Sequence, residues 1–222
     1  FWDERLVEHG AYLLVRRQQM IHDLNQSIAH IHSRLTGGME RLRIDYRASI
    51  CPEGRSVAAD QIALLPEQAA SSATELSTLE QEVAASFSAQ LCEVREKELE
   101  QGVSTVGPHR DDFRFLADGV DMNTYGSRGQ QRTIVLSLKL AEVELMEQER
   151  NDKPVLLLDD VVSELDAARR GYLLDTISGG QQVIVTTTDL LRYSKAFVEG
   201  ASRWEVCAGR LKQLTSEPEA AL

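Results

Sequence analysis

Four apolar residues, Val155 to Leu158, run without a break into Asp159 and Asp160, and this "VLLLDD" stretch limits the possible folds more than any other. "NDKP" before it closes a helical pattern, so the apolar run reads as a short strand. A strand with no polar residue to turn toward water is expected to be buried on both faces, as in a parallel sheet. A helix pattern over Ala167 to Ile177 follows, then "SGG", then a second apolar strand in "QVIVTTT". Strand, helix and strand joined by short links is the α/β pattern.

Asp159 and Asp160 fall at the C-terminal edge of the first strand, where ligands bind in open α/β sheets. Adjacent strand residues point to opposite sides, so the two acids have different tasks unless the strand has already ended. One can hold Mg²⁺, usually through water, as the Asp of a Walker B strand does. The next can orient or deprotonate an attacking water. The structural alternative is a pair of N-caps for the following helix.

A second feature is "YGSRGQQR", Tyr125 to Arg132, which opens a helix running to about Glu149. Gly126 and Gly129 permit close backbone approach, Ser127 offers a hydroxyl, and the helix N-terminus offers free N–H groups and a positive dipole end. Together they make an anion site. The alternative is a Ser-capped helix after a glycine turn.

The rest of the chain is mostly helical. Ile21, Leu24, Ile28, Ile31 and Leu35 form one apolar stripe at coiled-coil spacing, ended by "TGG". "MERLRIDYRAS" alternates as a strand, with Leu42, Ile44 and Tyr46 on one face. Residues 51–72 read as a loop with a short helix, and Leu76, Leu79, Val83, Phe87, Leu91 and Val94 mark a second long helix. These two helices are compatible with a projecting arm or a compact helical subdomain. Phe113 and Phe115 flank Arg114 in a strand that turns at "ADG". "RWEVCAGRLKQL" is a hairpin turning at "AGR", and "SEPEAAL" is an expected disordered tail. The division is placed at residues 1–101 and 102–222.

Composition narrows the function classes. No apolar run approaches the roughly 18 residues of a membrane span. Cys51, Cys92 and Cys207 are scattered, with no zinc spacing. The net charge of -11 argues against a surface coating DNA uniformly, though not against a local basic patch.

Ser-x-Gly-Gln at a helix start, an apolar strand with paired acids, a "SELD" turn and an apolar strand ending in Thr occur in the order of the C-terminal half of an ABC-type ATPase head. In this the sequence resembles the RecF family, the SMC-like DNA-repair ATPases of bacteria. The likeness is strongest in "GPHRDDFRF", "YGSRGQQRTIVLSLKLAEVELME", "PVLLLDDVVSELD" and "VIVTTTDL", and extends to "WDERLVEHG" and "IHSRLTGG". It implies an α/β fold: the C-terminal lobe of an ABC/SMC-like ATPase head, over 102–222, with a helical arm over 1–101. Ser127, Gly129 and Gln130 would then be the signature motif, binding the γ-phosphate of ATP held by another subunit. Arg128 stands where the common motif has a second Gly. Asp159 would serve the Mg²⁺ site through water, and Asp160 would stand where most relatives of the wider class have a catalytic Glu. Ser163 to Asp166 would be the D-loop at a dimer interface. Thr188 takes the place of the usual switch His.

The resemblance further implies ATP and Mg²⁺ as cofactors, slow hydrolysis, an ATP-dependent homodimer, and binding of gapped or double-stranded DNA. The implied partners are RecR and RecO, with RecA served indirectly, in the bacterial cytoplasm. No G-x-x-x-x-G-K-[ST] phosphate loop occurs in the 222 residues. The chain is therefore expected to be a piece of a longer protein, and to lack ATPase activity alone. His109 and Arg110 are candidates to touch nucleotide or DNA, or simply cap a strand. His30 and His32, two apart on a helix, do not share a face for metal. The rival readings are another SMC-like or ABC head, such as an overcoming-lysogeny-type nuclease-linked ATPase, and a non-catalytic module whose helical arm docks a partner.

Overall fold

The computed structural model describes residues 1–50, 73–179 and 182–214. The loop expected over 51–72, Cys51 and the tail lie outside them. The chain forms two compact units, Phe1–Asn151 and Asp152–Leu222.

In the first unit, α1 (Trp2–Leu35) carries Asp3 and Glu4 near its N-terminus and His32 and Arg34 in its last turn, each sign matched to the helix dipole. Gly37 and Gly38 follow at φ 66° and 80°, a left-handed backbone that stops the helix. β1 (Leu42–Arg47) comes next, then α2 (Ala73–Gln101), β2 (Asp112–Ala117), β3 (Val120–Asp121), the single-turn α3 (Met122–Tyr125) and α4 (Arg128–Arg150). β1, β2 and β3 form an antiparallel sheet in that order. Asp118 and Gly119, both at positive φ, make the hairpin turn expected from "ADG".

α1 is the spine of this unit, because it packs against α2, α4 and β1. Ala11, Leu14 and Val15 bury with Leu76, Leu79, Val83 and Phe87 of α2, and Tyr46, Ala48 and Ile50 complete the cluster. Leu24, Ile28, Ile31 and Leu35 are buried further along α1. The two long helices thus pack together, as the apolar stripes require, and share their core with residues from β1 onward. The division at 101/102 falls inside this unit, since β1 pairs with β2 across it. In the last turn of α2, the Glu98 carboxylate accepts hydrogen bonds from the Thr105 and Val106 N–H groups that follow the helix. Those bonds, Thr105 first, hold its carboxyl below the usual range.

Gly10 marks a close approach of α1 to Phe87 of α2. A Cβ placed there would sit 2.5 Å from Cε1 of Phe87 and 3.4 Å from Cγ of Pro108. Phe87 is fully buried, so its ring has no room to retreat. Gly10→Leu should lower unfolding free energy by about 2–3 kcal/mol through overpacking. Urea denaturation checks this, and Phe87→Leu in the same chain should recover part of the loss. An unchanged midpoint for Gly10→Leu would show that the helices are not packed this way.

The second unit holds β4 (Leu156–Asp159), α5 (Ala167–Ile177), β5 (Val183–Thr186), α6 (Lys195–Glu199), β6 (Arg203–Cys207) and β7 (Arg210–Leu214). β4 and β5 pair in parallel, Asp159 opposite Thr186, with α5 as the crossover. β6 and β7 form the expected hairpin, with Ala208 and Gly209 at positive φ in its turn. Burial on both faces of β4 is not met among the described residues: Leu157 is 72% exposed and Ile184 50% exposed. Only alternate residues are half-buried, because this parallel sheet has two strands and one packed face. Val162, Leu165, Leu173, Leu174, Ile177 and Tyr193 supply the buried apolar residues of this unit.

Candidate nucleotide-site residues

The two halves of the expected site fall in different units, and each has a distinct geometry. In the first unit, Asp121 caps the short helix α3, and Gly126 then lets the chain turn sharply. A Cβ on Gly126 would come 2.5 Å from the Met122 carbonyl oxygen. Ser127 is the N-cap of α4. Its Oγ accepts from the Gln130 N–H at 3.3 Å, and Gln130 Oε1 accepts from the Ser127 N–H at 2.9 Å. This is the reciprocal capping box of an S-x-x-Q sequence.

The Ser-cap reading is therefore correct as structure, and it does not compete with the anion reading. The Ser127 hydroxyl accepts in the box, which leaves its proton free to donate. Ser127, Arg128 and Gly129 are exposed, and a Cβ on Gly129 would meet nothing within 4 Å. Nothing among the described residues demands glycine at 129. The first-turn N–H groups of Arg128 and Gly129 have no intrahelical acceptor and point out of a helix whose dipole is positive there. An exposed anionic ligand fits this end. One N–H of the Gln130 amide goes to Glu40 Oε1 at 2.9 Å.

In the second unit, β4 ends at Asp159. Thr186 on β5 clips that end: its hydroxyl donates to Asp159 Oδ1 and accepts from the Asp160 N–H at 3.1 Å. Asp160 has left the strand, with φ 50° in the left-handed region, which adds strain for a residue other than Gly. Both aspartates are exposed. Asp160 precedes the turn Val161–Glu164 without capping it by its side chain, and its carboxylate has no hydrogen bond to the described residues. The capping task expected as an alternative falls instead to Asp166, whose carboxylate accepts from the Arg169 N–H at 2.9 Å at the start of α5. The acidic strand end is thus left with acceptor oxygens facing outward. Such a donor set fits a hard cation that keeps most of its ligands as water and phosphate. Among the described residues, no cluster of three or more His, Cys, Asp or Glu gathers to hold a metal outright.

The loop from Ser163 to Asp166 is held by side chains that donate to backbone carbonyls. Ser163 Oγ donates to the Asp160 carbonyl at 2.8 Å. Arg192 Nη1 donates to the Ser163 carbonyl at 2.9 Å, and Arg170 Nη2 to that of Leu165 at 3.0 Å. Tyr193 is buried nearby. Burial pushes its phenol up, and the negative charge of Asp160 adds to the shift. Thr188 lies exposed in a bend beyond β5.

In "GPHRDD", Pro108–Arg110 form one tight turn leading into β2. His109 and Arg110 are exposed, and both face the Ser104 carbonyl, at 3.3 Å from His109 Nε2 and 3.0 Å from Arg110 Nε. The residue of consequence is the next one. Asp111 Oδ2 accepts from the Tyr46 hydroxyl at 2.6 Å and from Arg17 Nη1 at 3.1 Å, while Oδ1 accepts from the Ser49 N–H at 2.8 Å. His30 is at the surface, 3.4 Å from Glu144, whereas His32 is fully buried. Sequence reasoning passed over Asp111, Thr186 and Glu40, because each acts through partners far away in the chain.

Comparisons with known proteins bear on the fold and the family. No protein-family model matches the chain. The chain is 42% identical over 206 residues to the DNA replication and repair protein RecF of Lysinibacillus sphaericus, covering 92% of this chain and 50% of that protein. It is 40% identical over 212 residues to RecF of Chloroflexus aggregans, covering 95% and 48%. A solved structure described as the recombination mediator protein RecF-ATP in the RecFOR pathway superposes with TM-score 0.72 at 32% identity. The superposition covers 96% of this chain and 49% of that one. The fold is thus of the α/β class of ABC- and SMC-like ATPase heads. Over the matched span, the chain belongs to the RecF family. It spans about half the length of the curated relatives it matches.

Proposed function

We propose that this chain supplies the signature-helix and paired-acid half of a RecF-type, ATP-dependent recombination mediator. The observation that carries the reading is the exposed capping box at Ser127: a free hydroxyl proton and bare N–H groups at a helix start, with open space over Gly129. The solved relative described as RecF-ATP supports ATP as the anion.

In the intact protein, two copies enclose two ATP molecules. The Ser127 hydroxyl and the Arg128 and Gly129 N–H groups of one copy meet the γ-phosphate held by the other. Gln130 acts by fixing Ser127 and through its remaining amide N–H. Asp159, braced by Thr186, serves a water-coordinated Mg²⁺, which neutralises phosphate charge when bound. Asp160 positions the attacking water and takes its proton. A carboxylate one methylene shorter than Glu reaches less far, which fits slow turnover used as a switch. Ser163 and Asp166 form the loop at the dimer interface, and Thr188 stands at the phosphate-sensing position. Residues 1–101 act as the arm and 102–222 as the lobe. Closure on ATP clamps gapped or double-stranded DNA, and hydrolysis releases it. The partners are RecR and RecO, with RecA loaded downstream, in the cytoplasm.

The 222 residues contain no phosphate loop, so they should not turn over ATP by themselves. A phosphate-release assay on the purified chain should read background. Saturable hydrolysis that disappears in Asp160→Asn would contradict the division of the site between the signature half and a separate phosphate loop.

A further inference from the structure

The side chain of Gln130 is fixed at both ends. Its Oε1 holds the Ser127 N–H, and its Nε2 donates to Oε1 of Glu40, between α1 and β1. The other oxygen of Glu40 lies 3.0 Å from Nε2 of His32, on the last turn of α1. His32 Nδ1 lies 2.9 Å from Ser137 Oγ on α4, and the Ser137 hydroxyl donates to the Thr133 carbonyl at 2.8 Å. His32 and Ser137 are both fully buried. A run of hydrogen bonds therefore leaves the N-cap of α4, crosses to the end of α1, and re-enters α4 further along.

Counting donors constrains this run at its Glu40 end. Ser137 Oγ meets His32 Nδ1 at the other end, accepting or donating as its hydroxyl turns. Nε2 faces a carboxylate, and that contact needs a proton between them. Without it, two lone pairs would meet at a fully buried ring.

The pair has a task to perform at Ser127. The cap contact itself is long, 3.3 Å from the Gln130 N–H to Ser127 Oγ. The N-cap is exposed, and glycines at 126 and 129 leave it little side-chain packing. Helix ends of this kind fray. We infer that Glu40 and His32 are positioning residues: through Gln130 they hold Ser127 in the orientation its hydroxyl needs to meet an anionic ligand. This rests on the reading of Ser127 as a phosphate-binding residue.

A charge swap in the intact protein tests it, with sedimentation measuring the ATP-driven dimer at a temperature where every variant is folded. Gln130→Glu keeps the oxygen that accepts from the Ser127 N–H but sets a second carboxylate against Glu40. It should weaken the dimer at least about tenfold, while ATP affinity of the monomer stays within about twofold. Adding Glu40→Gln restores a donor facing position 130 and an acceptor facing His32. The double variant should return to within about threefold of the parent. It keeps the carboxylate at 130, so recovery separates positioning from added charge beside the phosphate. No loss in the single variant, or no recovery in the double, while Ser127→Arg still abolishes dimerisation, overturns the positioning role alone. Undiminished dimerisation in Ser127→Arg as well overturns the reading of Ser127, and the positioning role with it.

Discussion

Replacing Asp111 by alanine is expected to lower the unfolding free energy by about 3–4 kcal/mol. The Asp111 carboxylate is 2% exposed and receives three donors from three places in the chain: Arg17 on α1, the Tyr46 hydroxyl on β1, and the Ser49 N–H. Arg17 also donates to the Pro108 carbonyl at 2.6 Å, so the same residues hold the turn before β2 against α1. Removing the carboxylate leaves a buried hydroxyl and an N–H without partners, each costing about 1–3 kcal/mol. Arg17 is 41% exposed and rehydrates, so its share is small. Tyr46 carries an independent mark of the arrangement. Burial first, and then its hydrogen bond to the Asp111 carboxylate, push its phenol well above the ordinary value. In a thermal melt, Asp111→Ala should fall by roughly 10 °C, and Asp111→Asn by less, because its amide oxygen still accepts. A shift of only a degree or two for Asp111→Ala would mean that this joint does not hold α1 to the sheet.

The elements set by local pattern were legible in the sequence, and those set by distant partners were not. α5 spans Ala167–Ile177 as its periodicity indicates, and both hairpins turn where Asp118-Gly119 and Ala208-Gly209 allow positive φ. Ser127 reads as a cap because S-x-x-Q is complete within one helical turn. Leu157 shows the limit: an all-apolar strand was expected to be buried on both faces, yet what covers a strand is decided elsewhere. Asp166 shows another, since three acids compete for one cap and only the backbone path into α5 selects it. Asp111 and Glu40 were invisible for a physical reason. Tyr46 and Asp111 are 65 residues apart, and Glu40 and Gln130 are 90 apart. No periodicity links such pairs.

Ser127→Arg should abolish ATP-driven dimerisation of the intact protein. The substitution removes the capping hydroxyl, at a cost of about 1 kcal/mol to α4, which its buried Ile134, Leu136, Leu140 and Ala141 can absorb. It also places a long side chain over the open end of the helix, where the ligand of the other copy must approach. A symmetric dimer contains the change twice. Each lost set of charge-assisted hydrogen bonds is worth about 1.5–3 kcal/mol, so dimer affinity should fall at least about 100-fold.

The most direct measurement of the central claim is analytical ultracentrifugation of the intact protein, parent and Ser127→Arg, with and without ATP and with and without gapped DNA. The account predicts that ATP drives the parent to a dimer and that gapped DNA favours it further. Ser127→Arg should remain monomeric while still binding ATP with near-parental affinity. A Ser127→Arg protein that dimerises with ATP as the parent does would contradict the account, because the exposed start of α4 would then have no part in joining two copies through the nucleotide.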